Sequence, residues 1–379
     1  MKTQSPVMEE DWKLLLSFFP KDWEALAAEH RALKGLRKNK SAGDLLRTLL
    51  IHLGCGCSLR ETVLRARRAH LADLSDVALL KRLRKSGPWL YALCRGLFQE
   101  RMGEAPVGEE HSMILLDASL VAEPGKTGSQ WRLHYGLRWP ALCCEFFSLS
   151  PAQGKGSGES LLRFPVVRGA HYLADRGYST PVGIRHVAAA GGLLAVRLNP
   201  NAVRLCHPGG RSFPLLEKLR ALQRPGQVTQ WAVRIADAQG EPAASGRLCV
   251  LRKSQQAAAL AQKKLRRKAQ KNGTKLLAET LEYACFVMVF TTFDPQRFAP
   301  AQVLAWYRLR WQIELVFKRF KQIANLGHLP KRDPESSRAW LYGKLLVALL
   351  TEKLMASAQS FSPWGYDLQR IVADPQPMA

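Results

Sequence analysis

Acidic residues are scarce in this chain. It holds 31 Asp and Glu against 56 Lys and Arg, a formal net charge of +25. In a sequence that is 47% hydrophobic, that deficit points to a folded protein whose partner is a polyanion, with nucleic acid as the first choice. An anionic membrane surface is the alternative, but the basic residues do not gather on one amphipathic helix. Long apolar runs are missing too. Nothing reaches the ~18 uncharged apolar residues that suggest a membrane span; the nearest run, Leu345 to Leu350, is stopped by Thr351-Glu352. The N-terminus lacks an apolar targeting core, so the expected location is the cytoplasm, without membrane association.

Regular cysteine spacing is absent. The eight cysteines read as reduced thiols rather than a disulfide framework. His52, Cys55 and Cys57 lie close in sequence, but no second ligand pair stands at zinc-finger spacing. Phosphate-binding loops are also lacking. Gly125-Lys126-Thr127 has Leu120 where a nucleotide-binding loop requires its first glycine, and Gly154-Lys155-Gly156-Ser157-Gly158 lacks the Lys-Ser/Thr ending. No nucleotide cofactor is expected. There is no internal repeat, and no heptad marks a dimer interface.

What is present divides into segments. Residues 1–105 read as short helices with tight breaks. Asp44 to Ile51 is one; Ser58 caps another, with Glu61 at the reciprocal capping position; a third starts at Ser75-Asp76. Their cations, Arg65, Arg67, Arg68, Lys81, Arg82, Arg84 and Lys85, suit a DNA-binding bundle of helix-turn-helix type. A helical packing domain with a solvated basic face is the alternative. From residue 106 to 198 the pattern becomes α/β. Met113-Ile114-Leu115-Leu116 reads as a buried strand ending at Asp117, and two more strands make a meander with it. A Gly/Ser-rich loop and a helix lead to the strand His171 to Ala174, ending at Asp175. A helix near Thr180 to Ala190 and a strand from Leu193 to Leu198 follow. Residues 199–283 read as a β-rich insertion interrupted by a helix carrying Lys263, Lys264, Arg266, Arg267 and Lys268 and ended by Asn272-Gly273. Residues 284–355 return to the core, and 356–379 form a loose tail.

Between Tyr307 and Lys321 lies the most informative stretch. At about 100° per residue, one continuous helix places Arg310, Glu314 and Lys321 roughly 300°, 340° and 320° from Tyr307, a shared arc of roughly 60°. Leu309, Ile313, Val316, Phe320 and Ile323 form a core-facing stripe instead. Asp117 and Asp175 end strands where side chains project into a crevice, and Glu314 sits on a helix able to pack there. Three such carboxylates can hold two divalent cations about 3.5–4 Å apart, and all-oxygen ligation suits Mg²⁺ or Mn²⁺.

The spacing Tyr307, two residues, Arg310, three residues, Glu314, six residues, Lys321 resembles the Tyr-Arg-Glu-Lys signature of DDE transposases of bacterial insertion sequences. Asp117 and Asp175, the latter in Asp175-Arg176-Gly177-Tyr178, look like that family's first two catalytic aspartates. The resemblance implies a ribonuclease H-like core binding two Mg²⁺ ions, with Mn²⁺ able to substitute. It also implies nicking at element ends, a hairpin intermediate and joining to target DNA. Asp117, Asp175 and Glu314 would be the metal ligands. Tyr307, Arg310 and Lys321 would grip end phosphates, and Trp311 would stack on an unpaired base or pack in the core. Arg176 and the basic helix would add DNA contacts, and a nucleoid-associated homodimer would pair two ends. A metal-dependent endonuclease without strand transfer, or an inactive DNA-binding relative, shares most of these features.

Overall fold

The computed structural model describes residues 6–36, 41–102, 112–122, 130–141, 143–154, 156–237, 239–322, 326, 329 and 333–359. Helices come first: α1 (Pro6–Ser17), α2 (Trp23–Glu29), α3 (Ala42–Gly54), α4 (Leu59–Arg68), α5 (Asp76–Lys85) and α6 (Gly87–Met102). Serines set three of their starts. Ser41 closes a capping box with Asp44, and Ser58 and Ser75 accept the backbone N–H of Glu61 and Ala78. The reciprocal bond expected of Glu61 is not made. Its carboxylate accepts from Arg65 one turn on, at 2.7 Å, a charge-assisted bond stronger than one from a neutral N–H.

The mixed part runs β1 (Met113–Ala122), β2 (Gln130–Trp139), β3 (Cys143–Pro151), β4 (His171–Ala174), α7 (Pro181–Ala189), β5 (Leu193–Arg197), β6 (Arg204–Cys206), α8 (Leu215–Arg220), β7 (Val228–Ala236), β8 (Pro242–Arg252), α9 (Gln255–Asn272), α10 (Ala278–Tyr283), β9 (Phe286–Thr291), α11 (Pro300–Leu309) and α12 (Trp311–Gln322). The long helix α13 (Pro334–Gln359) closes the described chain. Two local expectations change. β1 does not end at Asp117 but continues to Ala122, and the helix expected after the Gly/Ser-rich loop is a 3-10 turn over Leu161–Arg163. The C-terminal part of the expected tail, from residue 360, lies outside the described residues, as do Gly125-Lys126-Thr127, Lys155 and Ile323.

The chain forms two compact units, one of residues 1–106, 120–131 and 318–379, the other of 107–119 and 132–317. In the first, α13 packs against α3, α5 and α6. Trp89 is fully buried there, stacked on Trp23 and donating its indole N–H to the Trp23 carbonyl at 3.0 Å. Gly343 lets α13 approach α3, since a Cβ at that position would overlap the Leu53 side chain. Several of the expected DNA-facing cations are engaged inside this unit. Arg67 pairs with Asp73 and Arg84 with Asp333, both at 2.9 Å, and Arg82 donates to the Lys34 and Gly35 carbonyls. Arg68, Lys81 and Lys85 are exposed. His52 is buried with Nδ1 2.7 Å from the Cys57 carbonyl oxygen, a packed histidine beside a buried thiol.

The second unit is built on a nine-stranded sheet in the order β3-β2-β1-β4-β5-β9-β8-β7-β6. Strands β1, β4 and β5 are parallel and β9, β8, β7 and β6 antiparallel to their neighbours. Met113-Ile114-Leu115-Leu116 and Tyr172-Leu173-Ala174 are buried throughout, as expected for parallel strands covered on both faces. β8 pairs with β9 from Arg247 to Arg252, so the strands of 199–283 extend this sheet. They cover the edge that β9 would otherwise leave unpaired.

Candidate active site

Register does the first part of the assembly. Leu116 pairs with Ala174, and Ala174 with Val196. The next residues along are Asp117, Asp175 and Arg197, so one row across three parallel strands carries two carboxylates and a guanidinium. Residues in one row of a parallel sheet face the same side.

The second part comes from α11 and α12, and here the sequence expectation is corrected. Tyr307, Arg310, Glu314 and Lys321 do not share one continuous helix. α11 ends at Leu309, α12 begins at Trp311, and Arg310 occupies the turn between them. The turn is tightened: Arg310 N–H donates to the Tyr307 carbonyl and Ile313 N–H to the Arg310 carbonyl, both at 3.2 Å. Tyr307 is buried on α11, its hydroxyl donating to Asp175 Oδ1 at 2.9 Å, the oxygen that Arg310 also approaches. A buried phenol needs such an acceptor. The core stripe is present in Ile313, Val316 and Phe320, all buried, with Phe317 added.

Arg310 is the hub. Its Nη1 lies 3.3 Å from Asp117 Oδ2, its Nε 3.7 Å from Asp175 Oδ1, and its Nη2 bonds Glu314 Oε1. All three acidic residues singled out in the sequence thus meet around one guanidinium. Arg310 is 14% exposed and Asp117 15%, whereas Glu314 is 57% exposed, so the cluster is deep at the sheet and open at the helix. Burial pushes the Asp117 carboxyl up to about 7; the Ala118 N–H and Arg310 oppose this, and Asp175 and Glu159 add to it. Burial works against the Arg310 charge as well, but Asp175, Tyr307, Glu314 and Asp117 outweigh it and hold the guanidinium above its ordinary value. Burial, then Asp175, raise the Tyr307 hydroxyl.

The other sequence candidates fall around this centre or away from it. Trp311 is 50% exposed, which removes the core-packing alternative. Lys321 is exposed seven residues after Glu314 on α12. Arg176 is half-buried and donates to Asn199 Oδ1 at 3.0 Å. Lys263, Lys264, Arg266, Arg267 and Lys268 are all exposed on α9. That helix is capped by Ser254 and stopped by Gly273, whose φ of +62° suits the residue lacking a side chain. Four residues went unnoticed in the sequence. Glu159 accepts from Arg132 at 2.9 Å, and both act electrostatically on Tyr178, whose buried hydroxyl has no hydrogen-bond partner among the described residues. Arg197 acts on Tyr307 and Arg176. Tyr178 follows Asp175 closely enough to be found; nothing in the sequence marks Glu159.

The donor chemistry fits a hard divalent cation. Three carboxyl groups meet one guanidinium, so acidic groups outnumber the cation in the cluster, and the most buried of them is raised in pKa chiefly by burial. All donors are oxygens, the set preferred by Mg²⁺ or Mn²⁺. Their present arrangement around Arg310 is not a ligand set: among the described residues no group of three His, Cys, Asp or Glu is disposed to hold a metal. A cation would have to take over from the guanidinium.

Known proteins extend this local picture to the chain as a whole. The family described as a transposase DDE domain matches residues 155–350. The InsL protein of insertion sequence element IS186A from Escherichia coli strain K12 is 30% identical over 360 residues, 93% of this chain and 96% of InsL. The transposase for insertion sequence element IS421 of Escherichia coli is also 30% identical, over 361 residues and the same shares of the two chains. The transposase for IS231F of Bacillus thuringiensis subsp. israelensis is 35% identical over a shorter 101 residues, 26% of this chain and 21% of that protein. No helix among the described residues is long and apolar enough to cross a membrane. A basic α/β protein that gathers three acidic residues around one arginine, and is 30% identical to such transposases over nearly their whole length, belongs to the DDE transposases of insertion sequences, enzymes that act on DNA.

Proposed function

We propose that this transposase moves its element by cutting and rejoining DNA on a ribonuclease H-like core formed by residues 106–198 and 284–355. Residues 199–283 are its β-rich insertion and residues 1–105 its helical DNA-binding part. The observation that carries this reading is the meeting of Asp117, Asp175 and Glu314 at the Arg310 guanidinium. These carboxylates would hold two Mg²⁺ ions, or Mn²⁺ in their place. Bound there, such a pair would activate the attacking oxygen and stabilise the leaving one.

The chain's own groups do the remaining work. Water attacks the phosphorus at the element end and the P–O3′ bond breaks, freeing a 3′-hydroxyl. That hydroxyl attacks the opposite strand's phosphorus, closing a hairpin and releasing the flanking strand's 3′-oxygen; a second water hydrolyses the hairpin and restores the 3′-hydroxyl, which attacks a target phosphodiester and displaces a target 3′-oxygen. Arg310, leaving the carboxylates, offers its planar fork to phosphate oxygens, while Lys321 supplies a point charge. Trp311, half-exposed, stacks on the base that hairpin closure displaces. Tyr307 positions Asp175 through its hydroxyl and adds a phosphate contact once DNA is bound. Arg176 and the exposed cations of α9 hold flanking or target DNA without sequence preference. Two protomers pair two ends as a homodimer.

The test is to incubate the protein with labelled element ends, target DNA and Mg²⁺. Nicks, hairpins and joined products are expected in that order. Cleavage without joining would make the protein an endonuclease, and tight binding without cleavage an inactive relative; either outcome rejects the reading. A second measurement addresses Lys321. Lys321→Ala should weaken end complexes and lower the slope of log affinity against log salt by about 1, the contribution of one phosphate contact. An unchanged slope removes Lys321 from the DNA interface.

A further inference from the structure

Glu159 and Tyr178 lie beside the carboxylate cluster, and the reaction as described uses neither. Glu159 is anchored on one side only: Oε1 accepts from Arg132 Nη1 at 2.9 Å. Its other oxygen, Oε2, lies directly over Gly177, where any Cβ would overlap it. Glycine at 177 lets the Glu159 carboxylate lie against the segment that follows Asp175; a Cβ there would push it aside. Arg132 stands on β2, next to the strand bearing Asp117, and is 15% exposed. It is a fixed cation holding a carboxylate close to other carboxylates.

Tyr178 gives the independent observation. Its ring is fully buried and its hydroxyl has no hydrogen-bond partner among the described residues. Beyond burial, Asp117 and Glu159 act on that hydroxyl most strongly, followed by Arg132 and Asp175. A buried hydroxyl from which no described residue accepts, within the field of three carboxylates, is disposed to donate to an oxygen brought into the site. Glu159 also acts electrostatically on Asp117 itself.

We propose that Glu159, braced by Arg132 over Gly177, is a positioning carboxylate for the divalent cation: with the Tyr178 hydroxyl it holds the cation's water on the Asp117 side of the site. The inference rests on the reading of Asp117, Asp175 and Glu314 as the cation-binding carboxylates. Glu159 contributes negative charge and a water acceptor, and Tyr178 the matching donor. Outer groups of this kind fix the geometry of a hydrated Mg²⁺ or Mn²⁺, which keeps several waters when bound.

The test is direct Mn²⁺ titration of the full chain without DNA, following free Mn²⁺ by electron paramagnetic resonance, for wild type, Glu159→Gln, Arg132→Lys, Tyr178→Phe and Asp117→Asn. Glu159→Gln is expected to weaken Mn²⁺ binding about tenfold, the lower end for loss of an outer-shell partner. Arg132→Lys, which loosens Glu159 without removing it, should weaken binding less, and Tyr178→Phe also less. Melting with and without Mn²⁺ separates this from a packing role, because the rise that Mn²⁺ gives should be smaller in Glu159→Gln than in wild type, whatever loss of the Arg132 pair costs in EDTA. Wild-type Mn²⁺ affinity in Glu159→Gln, with binding lost in Asp117→Asn, would overturn the inference and leave the underlying reading standing. Absence of saturable binding in wild type would overturn both.

Discussion

Neutralising any one of the central carboxylates, by Asp117→Asn, Asp175→Asn or Glu314→Gln, should reduce end cleavage by on the order of 10³-fold while DNA affinity changes little. Each substitution keeps the side-chain shape and removes one negative charge. The loss corresponds to about 4 kcal/mol of transition-state stabilisation, which a divalent pair can supply when its ligand charge is complete. DNA affinity should survive because it comes from the excess of cations over the whole chain, and removing a negative charge works in its favour. The three variants should differ in stability. Asp117 is the buried member, and its carboxyl is already pushed up to about 7 chiefly by burial. An amide there removes a charge the fold disfavours, so Asp117→Asn should melt no lower than wild type. Cleavage measured on labelled ends, melting and filter binding together decide the matter. Near-wild-type cleavage in any variant strikes that residue from the catalytic set.

Which parts of this centre could be foreseen follows from what a sequence encodes. The strand rows were legible because β1 and β4 are short apolar runs, and an aspartate directly after such a run has few places to go. The apolar stripe of α12 was legible for the same reason: Ile313, Val316 and Phe320 repeat at helical spacing and are buried. The break at Arg310 was not legible. No Pro or Gly stands there, and the tightened turn is made by backbone bonds that any residue can form. Arg310 keeps right-handed helical dihedrals at the break, so Tyr307, Arg310 and Glu314 still converge on one cluster. Pairing of β8 with β9 was equally hidden, since an apolar strand does not announce which edge it will cover. Glu159 is the extreme case. It follows a Gly/Ser-rich loop with no periodic signal, and only the bare backbone at Gly177 and the guanidinium of Arg132 give it a place.

Removing the Arg310 cation should have the largest effect on stability, and the effect should depend on divalent cations. In their absence this guanidinium bridges Asp117, Asp175 and Glu314, with the Tyr307 hydroxyl also bonding Asp175. Arg310→Ala would leave Asp117 and Asp175 facing each other across adjacent strands, largely shielded from water. Breaking a buried ion pair by removing one partner costs about 3–5 kcal/mol. Glu314 is more than half exposed, and water screens its share, so the lower figure applies. For a unit of this size that is roughly 6–12 °C in melting temperature, measured in EDTA. Adding Mn²⁺ should recover much of the loss in Arg310→Ala and raise wild type less, because in wild type the ion must first displace the guanidinium. Arg310→Lys should fall between the two: an ammonium keeps the charge but cannot reach three carboxylates with a planar fork. Equal melting of Arg310→Ala and wild type in EDTA would mean that these ion pairs contribute nothing to the fold. A deficit in Arg310→Ala untouched by Mn²⁺ would mean that the cation and the guanidinium do not compete for the same oxygens, and that the carboxylates gathered here hold an arginine and nothing else.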